Sequence, residues 1–326
     1  YGHSGALTGS SVYGILDNKI STIGVKIFFV VSGFLITRSW MSDPCASRFA
    51  QRRIVRIVPG LACVSIVTLL FLGPAFTQLP LSIYFTIAGT WRYLWNIAFY
   101  PIYDLPGVFV GTKDPLAVNG SLWSLPAEIL MYLVTPFIIG RSQAASKIAI
   151  VLSAAVFAIT GVYYLRIVSL PAPYIVYGSS LSSVIDVAAY FQMGAVYAVF
   201  RLERYGRPVL ALTMLMVAAW FIQDIAAPAA SISEFLLLVL LPFAVVSVGY
   251  LHLSWVERPL ASVDVSYGMY LYGFPVQQVL MALSHNAYSA NEEFMLTLPI
   301  TFVFALLSWL VVERYALLWK PRRRGS

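Results

Sequence analysis

Apolar residues in this chain run almost unbroken for about twenty positions at a time. At ~1.5 Å of rise per residue, that is the length at which a helix crosses the ~30 Å hydrocarbon core of a bilayer. Such stretches fall at 22–38, 57–76, 122–140, 147–166, 181–200, 208–226, 232–252, 265–284 and 295–318, so the pattern predicts nine complete spans. The runs are continuous rather than alternating, which argues against a membrane β-barrel. The stretch 81–100 differs: it carries Asn96 and the run Trp91-Arg92-Tyr93-Leu94-Trp95 shortly before Pro101. It reads as an interfacial helix or re-entrant segment, because aromatic residues collect at headgroup depth.

Positive charge supports leaving that stretch out. The loops then alternate, and sixteen of the 21 Lys and Arg residues fall on one side, from Arg38 and Arg48 through Arg201 and Arg204 to Arg322, Arg323 and Arg324. Lys19, Lys26, Arg92, Lys113 and Arg166 fall on the other. Cytoplasmic loops carry the excess of Lys and Arg, so the basic side, with the tail 319–326, is predicted to face the cytoplasm. The long connection 77–120, which holds Asp104 and Asp114, is then external, either a cap over a site or a solvated connector. The opening Tyr1-Gly2-His3-Ser4 has no basic n-region, so no cleavable signal peptide is expected. It reads as the end of a truncated first span, which would make ten in the natural chain with both ends inside.

Composition narrows the class further. Only 11% of the 326 residues are charged and 60% are hydrophobic, with a mean hydropathy of +0.80. Soluble domains carry about 25% charged residues. An ordinary cytosolic enzyme, a disordered chain and a nucleic-acid binder are thereby excluded, and the formal net charge of +7 is assigned to topology. Cys45 and Cys63 are too few for a disulfide framework or a cysteine metal site, and both read as structural. The expectation is one all-α integral-membrane domain over 1–326, a polytopic helical bundle, with no metal and no bound cofactor.

Four constellations carry candidate chemistry. In Arg52-Arg53-Ile54-Val55-Arg56, Arg53 and Arg56 share a helix face at the cytoplasmic mouth of a span. Paired guanidinium forks there suit phosphate oxygens, although topology and anionic lipid alone also call for such clusters. In the segment 24–37, Gly24, Ser32 and Gly33 permit close approach, and Lys26 is either a snorkelling anchor or a lining charge. His3 is one of three histidines, with His252 and His285, and could take a proton near neutral pH. Glu128, in Asn119-Gly120-Ser121-Leu122-Trp123-Ser124-Leu125-Pro126-Ala127-Glu128, lies about two turns into a span, where an ionisable group is functional by default. Asp186 and Asp264 are further acidic candidates, each readable as a span-end residue, and Asp264 could cap a helix.

Taken together and in order, these pieces resemble the acyltransferase 3 family of bacterial integral-membrane acyltransferases. The resemblance is carried by His3-Ser4, the segments 24–37, 52–59 and 119–128, Asp264-Val265-Ser266-Tyr267 with its continuation to 278, and Val311-Val312-Glu313-Arg314. It implies transfer of an acyl group, commonly acetyl, from cytoplasmic acyl-CoA to a hydroxyl of a surface carbohydrate or glycolipid, with acetyl-CoA or another acyl-CoA as cosubstrate. It further implies that His3 is the catalytic histidine, with Glu128 as its acidic partner, and that Arg53 and Arg56, flanked by Arg52, bind the donor. Lys26, Ser32, Asn119, Trp123 and Tyr267, all in matching segments, fall to acceptor or pocket lining. The implied partners are acyl-CoA, the carbohydrate or glycolipid acceptor and membrane lipids. The implied location is the bacterial cytoplasmic (inner) membrane. Two features depart from the family. Relatives carry an Arg or Lys eleven residues before the histidine, which implies either a longer natural chain or an impaired one, and Lys26 stands where many relatives are uncharged or acidic. A multi-pass transporter or flippase of a glycan or lipid-linked intermediate is the competing expectation. It would show broken half-repeats and paired midplane charges, and no such repeat is visible.

Overall fold

The computed structural model describes residues 14–15, 18–112, 115, 117–140, 143–159, 174–223, 229–250 and 263–321. Helix dominates: α1 (Ile20–Ser42), α2 (Ala46–Val67), α3 (Ser124–Ile138), α4 (Gln143–Ala158), α5 (Leu181–Phe200), α6 (Pro208–Gln223), α7 (Ala229–Gly249), α8 (Ser266–Leu283) and α9 (Ala290–Ser308). Among the described residues, strand is confined to two antiparallel two-residue pairs, Gly14–Ile15 with Asn18–Lys19 and Ile175–Val176 with Ser179–Ser180.

Among the described residues six helices are long and apolar enough to cross a membrane, not nine. They are Thr22–Ser42, Ala46–Phe76, Gly120–Ile138, Leu181–Phe200, Ile232–Gly249 and Ala290–Trp319. The other three predicted spans have specific reasons for falling short. Those at 147–166 and 208–226 run beyond residues 159 and 223, outside the described residues, and what is described is a shorter apolar helix in each case. The span at 265–284 does form α8, but Tyr267, Tyr270, Tyr272, Gln277 and Gln278 dilute its hydropathy. The chain is a multi-pass membrane protein. Two of its spans are extended through π turns, α2 by Thr68–Leu72 and α9 by Trp309–Glu313.

The described helices fall into two compact units, one within 14–49 and 127–250, the other within 50–126 and 263–321. In the first, α1 packs along α5 through reciprocal glycines. A Cβ on Gly33 would lie 2.0 Å from the Phe191 carbonyl oxygen, and one on Gly194 would lie 2.1 Å from that of Val30. Lipid supplies no hydrophobic drive between helices, so such backbone-to-backbone approach is what association rests on. Gly24, expected to serve the same purpose, is exposed, and its Cβ would meet nothing within 4 Å.

In the second unit α8 packs on α9, with Gly268 against the backbone of Ala305. The connection 77–120 is no span. Residues 81–98 form three short helical pieces, Leu81–Thr86, Ala88–Arg92 and Tyr93–Ala98. They close over a small core of Leu69, Tyr84, Tyr93, Leu105, Val108, Phe109 and Val118. Tyr84 donates its hydroxyl to the Leu69 carbonyl at 3.0 Å, and Asn96 exchanges hydrogen bonds with Ile102 at 2.9 and 3.0 Å. Burial pushes the Tyr84 phenol up to about 12 and raises that of Tyr93 as well. Phe99 takes a left-handed φ of 63° to end the third piece. Asp114 lies outside the described residues.

Candidate functional site

In the first unit the charged residues of three helices converge. Lys26 of α1 is fully buried and donates to Glu234 of α7, with Asp186 of α5 at 3.6 Å. Tyr190, one turn along α5 from Asp186, donates its hydroxyl to the same Glu234 oxygen at 2.7 Å, and its ring centroid lies 4.7 Å from the Lys26 ammonium. An ammonium removed from water needs such a shell, because an unpaired charge in hydrocarbon is prohibitive. Lys26 is therefore a lining charge only in the sense that it is locked against carboxylates; it does not snorkel.

Glu128 stands just past the first turn of α3, and two turns into the span once the preceding 3₁₀ turn Gly120–Trp123 is counted. It is buried. Tyr132, four residues on, donates to its Oε1, and Ser32 of α1 donates to the same oxygen at 3.5 Å. The helix repeat places Tyr132 on the face of Glu128. Ser32 reaches it from ninety-six positions away.

In the second unit Arg52 is buried in α2, Arg53 is half-buried, and Arg56 points at two acids. Its guanidinium donates to Asp264 at 2.6 Å and to Glu313 at 3.4 Å, and lies 5.6 Å from the ring centroid of Tyr267. Tyr267 donates its hydroxyl to the Ile57 carbonyl at 3.0 Å, tying α8 to α2. Asp264 also accepts from the Ser266 hydroxyl at 2.6 Å and the Ser266 N–H at 3.3 Å, a local turn contact; the N-cap position of α8 is taken by Val265, without a side-chain cap, rather than by Asp264 as expected. Within the same unit the segment from Asn119 clamps α8. Asn119 donates to the Leu271 carbonyl at 3.0 Å and accepts from the Ser121 N–H, while Tyr270 bridges Ser121 and Ser124. Trp123 is half-buried in that turn. Among the described residues no group of three His, Cys, Asp or Glu side chains is placed to hold a metal.

Of the residues singled out from sequence, Lys26 meets Asp186 and Ser32 meets Glu128 in one unit, and Arg56 meets Asp264 and Tyr267 in the other. His3 and His252 lie outside the described residues. Glu234, Tyr190 and Tyr132 were not singled out for chemistry, and Glu313 only as part of a motif. The signal for Glu234 was available, since it is the one charged residue in the apolar helix α7. Nothing in the sequence indicated which cation it would meet.

The family model described as an acyltransferase domain matches residues 1–313. Nodulation protein 10 of Rhizobium leguminosarum bv. viciae is 28% identical over 325 residues, covering 93% of this chain and 84% of that protein. The O-acetyl transferase of Shigella phage Sf6 is 27% identical over 300 residues, covering 90% and 84%. Peptidoglycan O-acetyltransferase OatA of Listeria monocytogenes is 28% identical over 127 residues, 35% of this chain and 19% of that protein. No solved structure matches. A match over nearly the whole length, on a multi-pass helical protein, leaves one assignment: the chain belongs to the acyltransferase 3 family and is an acyl-transferring enzyme of the membrane.

Proposed function

We propose that this membrane O-acyltransferase moves an acyl group, most simply acetyl, from a cytoplasmic acyl-CoA to a hydroxyl of a cell-surface carbohydrate or glycolipid. It does so in the bacterial cytoplasmic (inner) membrane, with its C-terminus inside. The hydroxyl oxygen attacks the thioester carbonyl, the ester C–O bond forms and the C–S bond breaks. The hydroxyl proton passes to His3 and from there to the CoA sulfur. Glu128, buried with Ser32 and Tyr132 as donors, supplies the negative charge that a catalytic imidazolium calls for. The relatives named for O-acetyl transfer support the hydroxyl acceptor and the acetyl group.

The observation that carries the donor reading is the setting of Arg56. A guanidinium has five donors. Glu313, with its side chain 2% exposed, holds one arm from the interior, while Asp264, 49% exposed, holds another from the surface. A phosphate can displace the exposed partner while the buried one keeps the fork aimed. Arg52 and Arg53, a turn earlier on α2, add positive charge to the same end of the helix.

The test is incorporation of labelled acetyl groups from acetyl-CoA into surface glycans, in membranes carrying the full chain. His3→Ala should abolish incorporation while leaving membrane insertion intact. Arg53→Ala and Arg56→Ala should each raise the acetyl-CoA KM roughly tenfold or more, the value of one charge-assisted contact. An active His3→Ala protein overturns the catalytic assignment, and an unmoved donor KM overturns the donor site.

A further inference from the structure

In the second unit, α2 and the turns that follow α9 leave a groove of about 360 Å³ between them. One wall includes Ile54, Val58 and Pro59, and the other is Tyr315, Ala316 and Trp319. Both walls belong to helices long and apolar enough to cross the membrane, Ala46–Phe76 and Ala290–Trp319, and the groove sits where the second of these ends. Ile54, Tyr315 and Trp319 are exposed, so the groove opens away from the protein interior. Gln51, three residues before Ile54, donates to the Trp319 carbonyl at 3.5 Å and marks the polar end. Among the described residues no acid lines the groove. Glu313 lies two residues before Tyr315 but is buried, where Ser308 donates to it at 3.0 Å and Arg56 at 3.4 Å.

Within a bilayer the filler that suits apolar walls is an acyl chain, which recovers the dispersion contacts an empty groove forfeits. The chemistry at the mouth selects the lipid. Tyr and Trp collect at headgroup depth, and here Tyr315 and Trp319 stand at the end of the span. Arg314 is exposed and donates to the Tyr315 hydroxyl at 2.7 Å, with its guanidinium carbon 4.6 Å from the centroid of that ring, so its cation is held at the edge of the groove. One phenol cannot occupy the five donors of a guanidinium. Lys320, also exposed, follows Trp319 directly. In sequence, 314–326 carries five Lys or Arg and no Asp or Glu, and 46–59, on the helix of the other wall, carries four Arg and no acid.

We propose that this groove holds one acyl chain of an anionic phospholipid, whose phosphate is met by Arg314 and Lys320. Cations near a membrane surface attract anionic lipid diffusely, and a chain seated between two helices turns that attraction into a site. The inference is separate from the donor reading, which uses Arg56 and its pairing with Asp264 and Glu313. A neutral lipid would fill the same groove without using the cations, and a second copy of the chain would fill it without lipid.

Native mass spectrometry separates these occupants. The full chain is stripped of lipid in detergent and titrated with phosphatidylglycerol, which is anionic, or phosphatidylcholine, which is zwitterionic, with thermal stability measured alongside. The parent should hold one phosphatidylglycerol roughly tenfold or more tightly than phosphatidylcholine, the preference expected of two cations beside a phosphate. Arg314→Gln/Lys320→Gln should bind phosphatidylglycerol roughly tenfold or more weakly and phosphatidylcholine as the parent does. Both side chains are exposed, so this variant should melt with the parent and carries the test by itself. Ala316→Trp, which fills the groove, should weaken both lipids alike. A parent without a preference, or a glutamine variant that keeps it, overturns the anionic headgroup. A folded Ala316→Trp protein that holds phosphatidylglycerol like the parent overturns the groove as its seat, and so does a parent dimer that this substitution dissociates.

Discussion

The two charged clusters solve opposite problems. Around Lys26, in the first unit, an ammonium, two carboxylates and a phenol interlock, and the ammonium and Glu234 are shut away from solvent. Around Arg56, in the second unit, one carboxylate is buried and the other stands half in solvent. A buried pair adds little net stability, but removing one partner strands the other at several kcal/mol, whereas an exposed pair is worth about 0–1 kcal/mol and is readily exchanged. The first cluster is thus built to hold helices in register, whereas the second has one partner that can exchange. The same residue types do two jobs because burial differs, not because the charges do.

The largest effect that can break this comparison is Lys26→Met. It should strand Glu234 and destabilise the protein by about 3–5 kcal/mol, read as loss of thermal stability in detergent, and adding Glu234→Leu should recover most of it. A single variant as stable as the parent would show that the cluster is not structural. Next comes Gly33→Ala, whose methyl meets the Phe191 carbonyl and should lower stability by about 1–3 kcal/mol in the same measurement. Gly24→Ala, facing open space, should change it by less than about 0.5 kcal/mol. Equal effects would mean that the α1–α5 contact does not depend on the reciprocal glycines. The smallest effect sharpens the second cluster. Asp264→Asn should change stability by under about 1 kcal/mol and lower the acetyl-CoA KM a few-fold, because the displaceable competitor is gone. A raised KM would mean that Asp264 positions Arg56 rather than guarding it.

The candidate site was legible in part, and the part that was not has a common cause. Glu128 could be singled out because a lone carboxylate inside an apolar run is costly wherever it points. Arg53 and Arg56 could be paired because three residues on a helix always share a face. Neither argument reaches across the chain. Lys26 read equally well as a snorkelling anchor, since the 208 positions separating it from Glu234 carry no periodicity that links them. Glu313 was visible as a motif residue, but the π turn that brings it to Ser308 and Arg56 has no signature in the hydropathy pattern. Gly24 and Gly33 looked alike as small residues, and only the placement of α5 separates them.

Membrane residence and helical class follow from run length and local composition. These act through the solvent that each segment meets, and need no knowledge of any other segment. Which charges are paired, which glycine is a contact and which face of α9 is buried were decided by tertiary structure. Each is a relation between residues distant in sequence, set by the packing of whole helices, and the polarity of a single segment carries no record of its neighbour.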